Sequence, residues 1–502
     1  MTFLTESELR QIRALARLFR TNPFRDERQE LEKEVLQNKW HHPLSTRENS
    51  FLANQKGLEE RTKKLTRKMN KALLKGVHAT KEETKLYREM ALVCLYDLFA
   101  DRLDRLLDGA KGAVPFYREF KLEFEQLFQG LSFDSDEDPA HIFALFFQLR
   151  RAFHHIFRFL LGSSTSTANL RAEVWDSIFT HDIARYRRGL FSRLQHITTL
   201  VLGDSGTGKE LVARAIGFSQ YVPFDVAAQS FQWEPQQTFL AVHLSALSPT
   251  LLESELFGHR RGAFTDAITD RVGRLEACPA HGAVFLDEIG DIDPTIQVKL
   301  LRVLETRNFS PVGTTEIIPF RGKIIAATHR DLSREVEQGR FREDLFYRLN
   351  SDRLRTPTLA TRIQENRSEL PELISFLSTQ AVGKEDTSEL AEEVLNALKS
   401  LPKKYSWPGN VRELAQAVRQ VLIRGVYRPQ VALKPAASTT WLDAAAAGTL
   451  DMDGLVEGYA MQTYRREGNY EAAARILGID RRTVKTHVSA AQNALNLERS
   501  SR

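Results

Sequence analysis

A glycine-rich stretch with a single lysine is the first part of the sequence whose residue types could do chemistry. It runs from Gly203 to Lys209 as Gly-Asp-Ser-Gly-Thr-Gly-Lys. Glycines let backbone N–H groups surround phosphate oxygens, and Lys209 can reach the β- and γ-phosphates of a nucleotide. Glu210 departs from the general pattern, which has Ser or Thr there to ligate magnesium. The predicted phosphate loop consists of Gly203, Asp204, Ser205, Gly206, Thr207, Gly208, Lys209 and Glu210.

A pair of adjacent carboxylates, Asp287 and Glu288, follows a short apolar run that begins at Ala283. One carboxylate of such a pair can hold hydrated Mg²⁺, and the next can polarise an attacking water molecule. Acidic pairs also cap the helix that follows a strand, so the pair alone leaves both interpretations open. Together with the phosphate loop it predicts binding and hydrolysis of ATP, with Asp287 as the metal ligand and Glu288 as the residue that activates water.

These residues need a sheet and helices to bring them together. From about residue 170, short β-branched or apolar runs alternate with helical patterns, which is typical of βα units on a mainly parallel sheet. The phosphate loop follows one such run and precedes a predicted helix, Glu210–Gly217, as a P-loop requires. The sequence therefore predicts an α/β domain, whose clearest strands are Thr198–Leu202, Phe239–Leu244, Ala283–Leu286 and Lys323–Ala327.

The residues before this domain have a helical pattern, with apolar positions three and four residues apart. Thr5 and Glu8 form a capping-box pattern that predicts the start of a helix. We expect an all-α regulatory domain over residues 1–165, with linker composition at 162–168. One apolar stripe with arginines on its other side indicates core packing in preference to a ligand pocket, and it consists of Ile142, Phe146, Leu149, Phe153, Phe157 and Leu160.

Composition limits the remaining classes of function. A chain of 502 residues predicts about three domains, and 42% apolar with 27% charged residues is ordinary for a globular protein. Cys94 and Cys278 are too few for a disulfide framework or a Cys-rich zinc site. The start lacks a signal-peptide pattern and charges interrupt the most apolar stretch, 142–161, so we expect a cytoplasmic protein with no membrane segment. Because the net charge is only +5, nucleic-acid binding would depend on local patches.

Four further motifs point to one family. In order they are Leu251–His259 (LLESELFGH), Gly262–Ala267 (GAFTDA), Phe341–Leu349 (FREDLFYRL) and Trp407–Leu414 (WPGNVREL). With the phosphate loop, they resemble the AAA+ domain of sigma-54-dependent transcriptional activators, also called bacterial enhancer-binding proteins. In that family the phosphate loop ends in Gly-Lys-Glu, so the resemblance also accounts for Glu210.

The resemblance implies roles for residues outside the loop. It assigns Thr328 to sensor I and Arg412 to the sensor II arginine of a helical lid. It assigns Arg342 and Arg348 to arginine fingers that reach the γ-phosphate of a neighbouring subunit, which implies a ring, in this family a hexamer. From spacing alone, these two arginines would be interpreted as solvated residues of a charged helix.

A six-residue loop carries the output in this family, where it presses on sigma-54 in closed promoter complexes. The resemblance therefore implies sigma-54 RNA polymerase as a partner. Asp266 stands where the family has a second glycine, so remodelling of a different protein remains an alternative. The loop consists of Gly262, Ala263, Phe264, Thr265, Asp266 and Ala267.

Two histidines and one insertion depart from the family pattern. His243 stands where the family has an asparagine that holds the catalytic glutamate, and His329 replaces the asparagine after Thr328. We expect both to keep a positioning role, since imidazole can donate a hydrogen bond as an amide does. The chain between Gly217 and Phe239 is longer than usual, which predicts an extra surface element with Phe218, Tyr221, Phe224 and Trp233.

The C-terminal residues predict a helix, a turn at Gly478 and a second helix. The second helix carries a cluster of basic and hydroxyl side chains, as a recognition helix in the DNA major groove requires. The pattern resembles the Fis-type helix-turn-helix that commonly ends these activators, although a packing module with a solvated basic face would look similar. The candidate DNA-binding residues are Arg481, Arg482, Thr483, Lys485, Thr486 and His487.

We therefore predict a P-loop AAA+ protein that activates transcription by ATP hydrolysis, binds upstream DNA and remodels sigma-54 RNA polymerase closed complexes. An alternative is a DNA-binding regulator whose ATPase is slow or silent and serves as an assembly switch. The predicted parts are a helical N-terminal domain at 1–165, an AAA+ α/β subdomain at 170–355, an AAA+ helical lid at 356–427, a linker at 428–450 and a DNA-binding domain at 451–502.

Overall fold

A computed structural model gives the fold of this chain. It describes residues 4–40, 48–107, 114–131, 138–231, 238–264, 267–402, 405–429, 445 and 450–500. Two compact units are present, residues 1–427 and 428–502. Within the described residues, no helix combines the length and apolar character that crossing a bilayer requires.

A five-stranded parallel sheet forms the centre of the first unit. Its strand order is β4-β5-β8-β1-β9, and all four pairings are parallel. The predicted α/β class is confirmed, and the four predicted strands are present, each with one end shifted by a single residue. The strands are β1 Thr199–Leu202, β4 Phe239–His243, β5 Ala283–Asp287, β8 Lys323–Thr328 and β9 Asp352–Arg355. Two short hairpins lie outside this sheet, β2 Phe224–Asp225 with β3 Ser230–Phe231 and β6 Asn308–Phe309 with β7 Ile318–Pro319.

The N-terminal residues form helices, and the predicted capping box of Thr5 and Glu8 is present at the first of them. These helices are α1 Glu6–Leu18, α2 Asp26–Leu36, α3 Glu48–Leu74, α4 Lys81–Asp104, α5 Tyr117–Leu127 and α6 Pro139–Phe159. A short 3₁₀ turn, Gln37–Lys39, follows α2. Two more helices, α7 Thr165–Phe179 and α8 Ile183–Arg187, and the 3₁₀ turns Leu190–Ser192 and Leu194–His196 lead into β1.

Neighbouring residues of each buried strand point to opposite sides of the sheet, and the side chains on both sides pack against other elements. On one face Leu200 packs with Leu286 and with helices that follow the sheet strands. On the other face Val201 packs with residues of α6 and α7, including Ile156. The helices of the α/β part are α9 Lys209–Gly217, α10 Pro249–Phe257, α11 Arg274–Ala277, α12 Pro294–Thr306, α13 Leu332–Glu337 and α14 Glu343–Leu349, with 3₁₀ turns at Leu244–Ala246 and Ile289–Asp291.

The insertion between Gly217 and Phe239 was expected to be a surface element. In the structure, part of it is buried. Its β2–β3 hairpin buries Phe224 in the core of the N-terminal helices. The Phe224 ring lies 4.4 Å from that of Tyr117, and the Phe231 ring lies 4.2 Å from that of Phe147. The prediction failed because burial by a distant helical region leaves no mark on the hairpin's own pattern. Trp233 lies outside the described residues.

A helical lid completes the first unit, and its core includes Trp407 and Leu414. Segment 162–168, whose composition suggested a linker, contains the first turn of α7 and contacts this lid. The backbone N–H groups of Ser163 and Ser164 both donate to the Glu369 carboxylate, at 2.6 and 2.9 Å. The lid helices are α15 Leu359–Glu365, α16 Glu369–Val382, α17 Thr387–Leu398 and α18 Asn410–Arg424.

In the second unit, residues 450–500 form three helices. Its core contains Ala460, Ala473 and Val484. Gly478 has a positive φ of 68° and caps the helix that ends at Leu477. Two residues separate Gly478 from the start of the next helix at Arg481. The helices are α19 Met452–Glu467, α20 Tyr470–Leu477 and α21 Arg481–Ser500. The proposed linker, 428–450, lies mostly outside the described residues.

Candidate functional site

The phosphate loop lies between β1 and α9, as its sequence predicted. Gly203, Gly206 and Gly208 have φ values of 151°, 78° and 95°, a region that residues with a Cβ rarely adopt. A Cβ at Gly206 would lie 2.3 Å from the Gly409 carbonyl oxygen of the lid, so this position also needs glycine for space. The loop thus has its backbone fixed in the curled form that presents N–H groups to an anion.

The lysine of the loop is buried and lies among oxygen atoms. Lys209 Nζ donates to the carbonyl oxygens of Gly203 and Asp204, at 3.0 and 3.3 Å. It lies 3.8 Å from a carboxylate oxygen of Glu288. The ammonium group is therefore held between the loop and the predicted catalytic carboxylate. Glu210, the next residue, forms an ion pair with Arg214 one turn along the helix.

The carboxylate pair stands at the carboxyl end of β5, beside the end of β8. Asp287 is the last residue of β5, and Thr328 is the last residue of β8 and is fully buried. Glu288 has a left-handed backbone, with φ 58° and ψ 50°. Parallel strands bring their carboxyl ends to the same edge, so the sheet assembles these residues beside the phosphate loop.

A different histidine contacts each carboxylate of the pair. His329 Nδ1 lies 2.7 Å from Glu288 Oε2, and the His329 backbone N–H donates to the same oxygen at 3.2 Å. His243 Nδ1 lies 3.1 Å from Asp287 Oδ2. The expectation that His243 takes the asparagine's place at the catalytic glutamate is therefore wrong. His243 is directly opposite Asp287 in the β4–β5 register, whereas Glu288 turns toward the residue after β8.

The environment of Glu288 keeps it ionised. Burial raises the pKa of Glu288, but the hydrogen bond from His329 and the charge of Lys209 outweigh burial and hold this pKa below its ordinary value. Because an ionised carboxylate can only accept, His329 Nδ1 must be the donor in their contact. Glu288 is therefore in the ionised form that a general base requires.

The lid contacts the phosphate loop through residues of the Trp-Pro-Gly-Asn motif. The Asn410 amide group donates to the Ser205 carbonyl oxygen at 3.0 Å, and its oxygen accepts from the Leu359 N–H at 2.9 Å. Arg412, predicted as sensor II, donates to Ser205 Oγ at 3.0 Å. Asn410 was missed as a site residue, although its motif was noticed; its positive φ of 51° is a conformation that asparagine tolerates better than most residues.

The two predicted arginine fingers lie on the surface and pair with acidic residues. Arg342 donates to both carboxylate oxygens of Asp344, and Arg348 lies 3.5 Å from Glu305. Buried Gln297, which the sequence analysis missed, accepts from the Arg342 backbone N–H at 2.8 Å. Nothing in the sequence near Gln297 marked it, because its role depends on the packing of α12 against α14.

The output loop is partly described, since Thr265 and Asp266 lie outside the described residues. The Gly262 N–H donates to the Ala267 carbonyl oxygen at 2.8 Å, which closes the loop at its base. Phe264 is half-buried, with its ring edge-to-face against His259 at 4.9 Å. The structure thus has Phe264 resting on its own domain.

In the C-terminal unit, the candidate DNA-binding residues lie at the start of α21. All are exposed except His487, which is half-buried. Arg481 pairs with Glu471 of the preceding helix at 3.2 Å. The Asp480 carboxylate accepts from the Arg482 N–H at 2.6 Å, which fixes the first turn. The basic side chains thus occupy one exposed helix terminus.

Comparisons with known proteins match this architecture. Residues 183–355 match the model of the sigma-54 interaction domain, and residues 364–428 match that of the AAA+ ATPase lid domain. The Nif-specific regulatory protein of Azotobacter vinelandii is 42% identical over 47% of this chain and 42% of its own. The transcriptional regulatory protein ZraR of Escherichia coli K12 is 40% identical over 58% of this chain and 63% of its own.

The match thus spans less than two thirds of either relative's length. Among solved structures, NtrX from Brucella abortus in complex with ATP is 22% identical, with a TM-score of 0.40 over 80% of this chain and 87% of its own. The phosphate loop, the carboxylate pair and the lid lie within or beside the two matched domains. The chain thus contains an ATPase-type AAA+ domain, which matches the sigma-54 interaction domain and the AAA+ ATPase lid domain.

Proposed function

We propose that this protein is an ATP-driven activator that hydrolyses ATP between adjacent protomers and remodels sigma-54 RNA polymerase closed complexes from upstream DNA sites. The observation that carries the proposal is the position of ionised Glu288, 3.8 Å from Lys209 of the phosphate loop and held by His329. This arrangement sets a proton acceptor beside a phosphate-binding cation, which is what water attack on a γ-phosphate needs.

The chain's own residues divide this work. The loop N–H groups and Lys209 bind and neutralise phosphate oxygens, and Glu288 accepts the proton of the attacking water. Mg²⁺ takes oxygen ligands from one or two carboxylates and from substrate phosphates, and the Asp287 carboxylate at the strand end fits that donor set. When bound, Mg²⁺ would neutralise charge on the phosphates. Thr328 and Arg412 flank the loop from the sheet edge and the lid, where they would respond to the nucleotide.

Arg342 and Arg348 would complete the site of a neighbouring protomer. Both guanidinium groups are exposed and pair with surface carboxylates, so they are accessible to a second chain. A planar guanidinium can bind a transferring phosphate through two parallel hydrogen bonds. This assignment supports a closed ring, with six protomers as the family implies.

The loop 262–267 would deliver the output. The Phe264 ring packs on that of His259, and leaving this contact would expose an apolar tip for a partner protein. The C-terminal unit would hold the protein at upstream DNA, since its basic residues lie at the helix end that enters a major groove in helix-turn-helix proteins.

The deciding experiment measures steady-state ATPase activity of the full chain with Glu288→Gln as the control. We expect the substitution to lower turnover by about 10²–10⁴-fold, the usual contribution of a general base, while ATP still binds. Open-complex formation on a sigma-54 promoter, with wild type and Asp266→Gly, then tests the target. Turnover that Glu288→Gln does not change would refute the hydrolysis mechanism, and an active ATPase without open complexes in either form would favour a different protein target.

A second candidate function follows from the histidine contacts. His329 occupies one oxygen of Glu288, and His243 occupies one oxygen of Asp287, so both carboxylates carry a partner that the family pattern does not have. Such contacts would favour a slow or silent ATPase whose nucleotide serves ring assembly. ATP-dependent assembly, measured by sedimentation, without turnover sensitive to Glu288→Gln would support this alternative.

A further inference from the structure

A cavity of about 210 Å³ lies among the N-terminal helices, and its walls come from α1 to α4 and from α6 to α8. The apolar stripe of α6 was expected to be packed core, and five of its six residues, Ile142, Phe146, Leu149, Phe153 and Phe157, also line this cavity. An apolar cavity of about 150 Å³ is large enough to hold benzene, so this one admits a single ring with a short substituent. The apolar lining includes Leu92, Val93, Leu149, Phe153, Phe157 and Trp175.

The charged residues that line the cavity differ in whether they form ion pairs with other side chains. Arg187 forms part of the α8 wall. Within the described part of the chain, Asp97 of α4 and Glu59 of α3 line the cavity without a hydrogen bond or an ion pair. The three other arginines are already neutralised, Arg20 by Glu89, Arg28 by Glu32 and Arg150 by Asp104.

The unpartnered carboxylates define the kind of ligand. Burial raises the pKa of Asp97 to about 7, and the negative charge of Glu59 adds to this effect. A cationic donor placed beside Asp97 would relieve both causes, because it supplies a hydrogen bond and an opposite charge. An anionic ligand would face two carboxylates and arginines that already have partners.

We propose that this cavity binds a small amphipathic amine, with its ring or branched aliphatic group against the α6 and α7 side chains and its ammonium group on Asp97. The site lies outside the phosphate loop and the lid, and so is separate from the nucleotide chemistry. Aromatic and aliphatic walls supply most of the buried area, while one charged group fixes orientation, which is the usual composition of a small-molecule site.

Helix α6 connects this cavity to the ATPase domain. One face of α6 lines the cavity, and the other binds the chain that leaves the C-terminal end of α9. On that face Arg151 donates to the carbonyl oxygens of Phe218 and Gln220, and Gln148 donates to that of Ser219 at 2.9 Å. A ligand that moves α6 would therefore move the helix that begins with Lys209. This second step rests on the proposed function, whereas the binding step does not.

Calorimetric titration of the full chain tests the binding step. The probes are benzylammonium, neutral benzyl alcohol and anionic benzoate, which share one ring and differ in charge. We expect benzylammonium to bind at least tenfold more tightly than the other two, and Asp97→Asn to remove that preference. Asp101→Asn, an exposed position one turn along α4, is the matched control and should keep it. Equal binding of benzylammonium and benzyl alcohol, or a preference that survives Asp97→Asn, overturns the proposal.

Coupling is measured as a change in ATP turnover, or in ATP affinity if turnover is absent, at saturating benzylammonium. We expect at least a twofold change in wild type and in Asp101→Asn, and none in Asp97→Asn at the same concentration. Binding without any such change contradicts the transmission through α6 but leaves the binding site standing. A chain that does not hydrolyse ATP defeats the proposed function alone, since calorimetry reads the binding step directly.

Discussion

The two ends of helix α9 differ in what holds them. At its N-terminal end, positive-φ glycines and Lys209 face a site built for a ligand from outside the chain. Just beyond its C-terminal end, the carbonyl oxygens of Phe218 and Gln220 accept hydrogen bonds from Arg151 of α6. Helix termini leave backbone groups that need partners, and here a nucleotide would supply them at one end and the N-terminal helices supply them at the other.

This difference shows where chemistry and control are separated in the molecule. The N-terminal end of α9 can change its partners in every catalytic cycle. The far end is held by Arg151, a residue that is only 1% exposed. Control from the N-terminal helices would therefore act through the position of α9, and with it Lys209. The chemical nature of the catalytic groups would stay the same.

The largest effect is expected from the groups that act on a nucleotide across the subunit boundary. Arg342→Ala should lower ATP turnover by about 10³–10⁵-fold, the range measured for arginine fingers. Lys209→Ala should also be inactive alone. If Arg342 acts in trans, mixing the two inactive variants should restore turnover, because one supplies the arginine and the other the intact loop. A mixture as inactive as its components would confine both residues to one protomer.

A second expectation isolates the N-terminal end of α9. Lys209→Ala removes the ammonium group that would face the phosphates, and turnover should fall by about 10²–10³-fold, as for loss of one preorganised electrostatic group. Its carbonyl partners belong to half-buried Gly203 and exposed Asp204, where water can replace the ammonium group, so we expect little change in the denaturant midpoint. Arg214→Ala on the same helix, whose ion pair with Glu210 is at the surface, is the control. A large loss of stability in Lys209→Ala would mean that the loop is structural.

The contacts at the N-terminal end of α9 could be predicted from the sequence far better than those at its C-terminal end. Phosphate chemistry restricts residue type and spacing locally, so Gly203 to Lys209 and the Asp287–Glu288 pair could be recognised from short motifs. Arg151 could not, because its burial depends on partners nearly 70 positions away in sequence. The arginines were expected on the side of α6 opposite its apolar stripe, yet Arg151 is buried and Arg150 lines the cavity. Contacts between distant segments leave no periodic signal in either segment.

Loss of the contacts at the C-terminal end of α9 should lower the free energy of unfolding. Arg151→Met keeps the side-chain length but leaves the carbonyl oxygens of Phe218 and Gln220 without this donor, and loss of the partner of a buried polar group costs about 1–3 kcal/mol. Burial lowers the pKa of Arg151 to about 9, so part of this cost is offset by removing a poorly solvated charge. We expect a net loss of about 1–3 kcal/mol in urea unfolding, with turnover changed by less than at the other end. Arg158→Met, at an exposed position of α6, should change neither.

The smallest effect is expected on the cavity face of α6 and its neighbours, and it depends on pH. Asp97 faces Glu59 and Lys63 of α3, Arg28 of α2 and Arg150 of α6, and burial is the main reason that its pKa is raised from 3.8 to about 7. Between these two pH values the folded chain holds a proton that the unfolded chain has released. The contribution of Asp97 to stability is therefore full below pH 4 and is lost as pH rises toward 7.

Asp97→Asn should remove this loss, because an amide does not titrate. Urea unfolding at pH 5.5 and pH 8 should give a wild-type difference that exceeds that of Asp97→Asn by on the order of 1 kcal/mol, after allowance for the partial exposure of the carboxylate. Asp101→Asn should behave as wild type. Saturating benzylammonium should reduce the excess, since an ammonium group stabilises the ionised carboxylate. If the excess is absent, Asp97 is ionised across this range, and the ligand would bind by charge without a proton leaving the cavity.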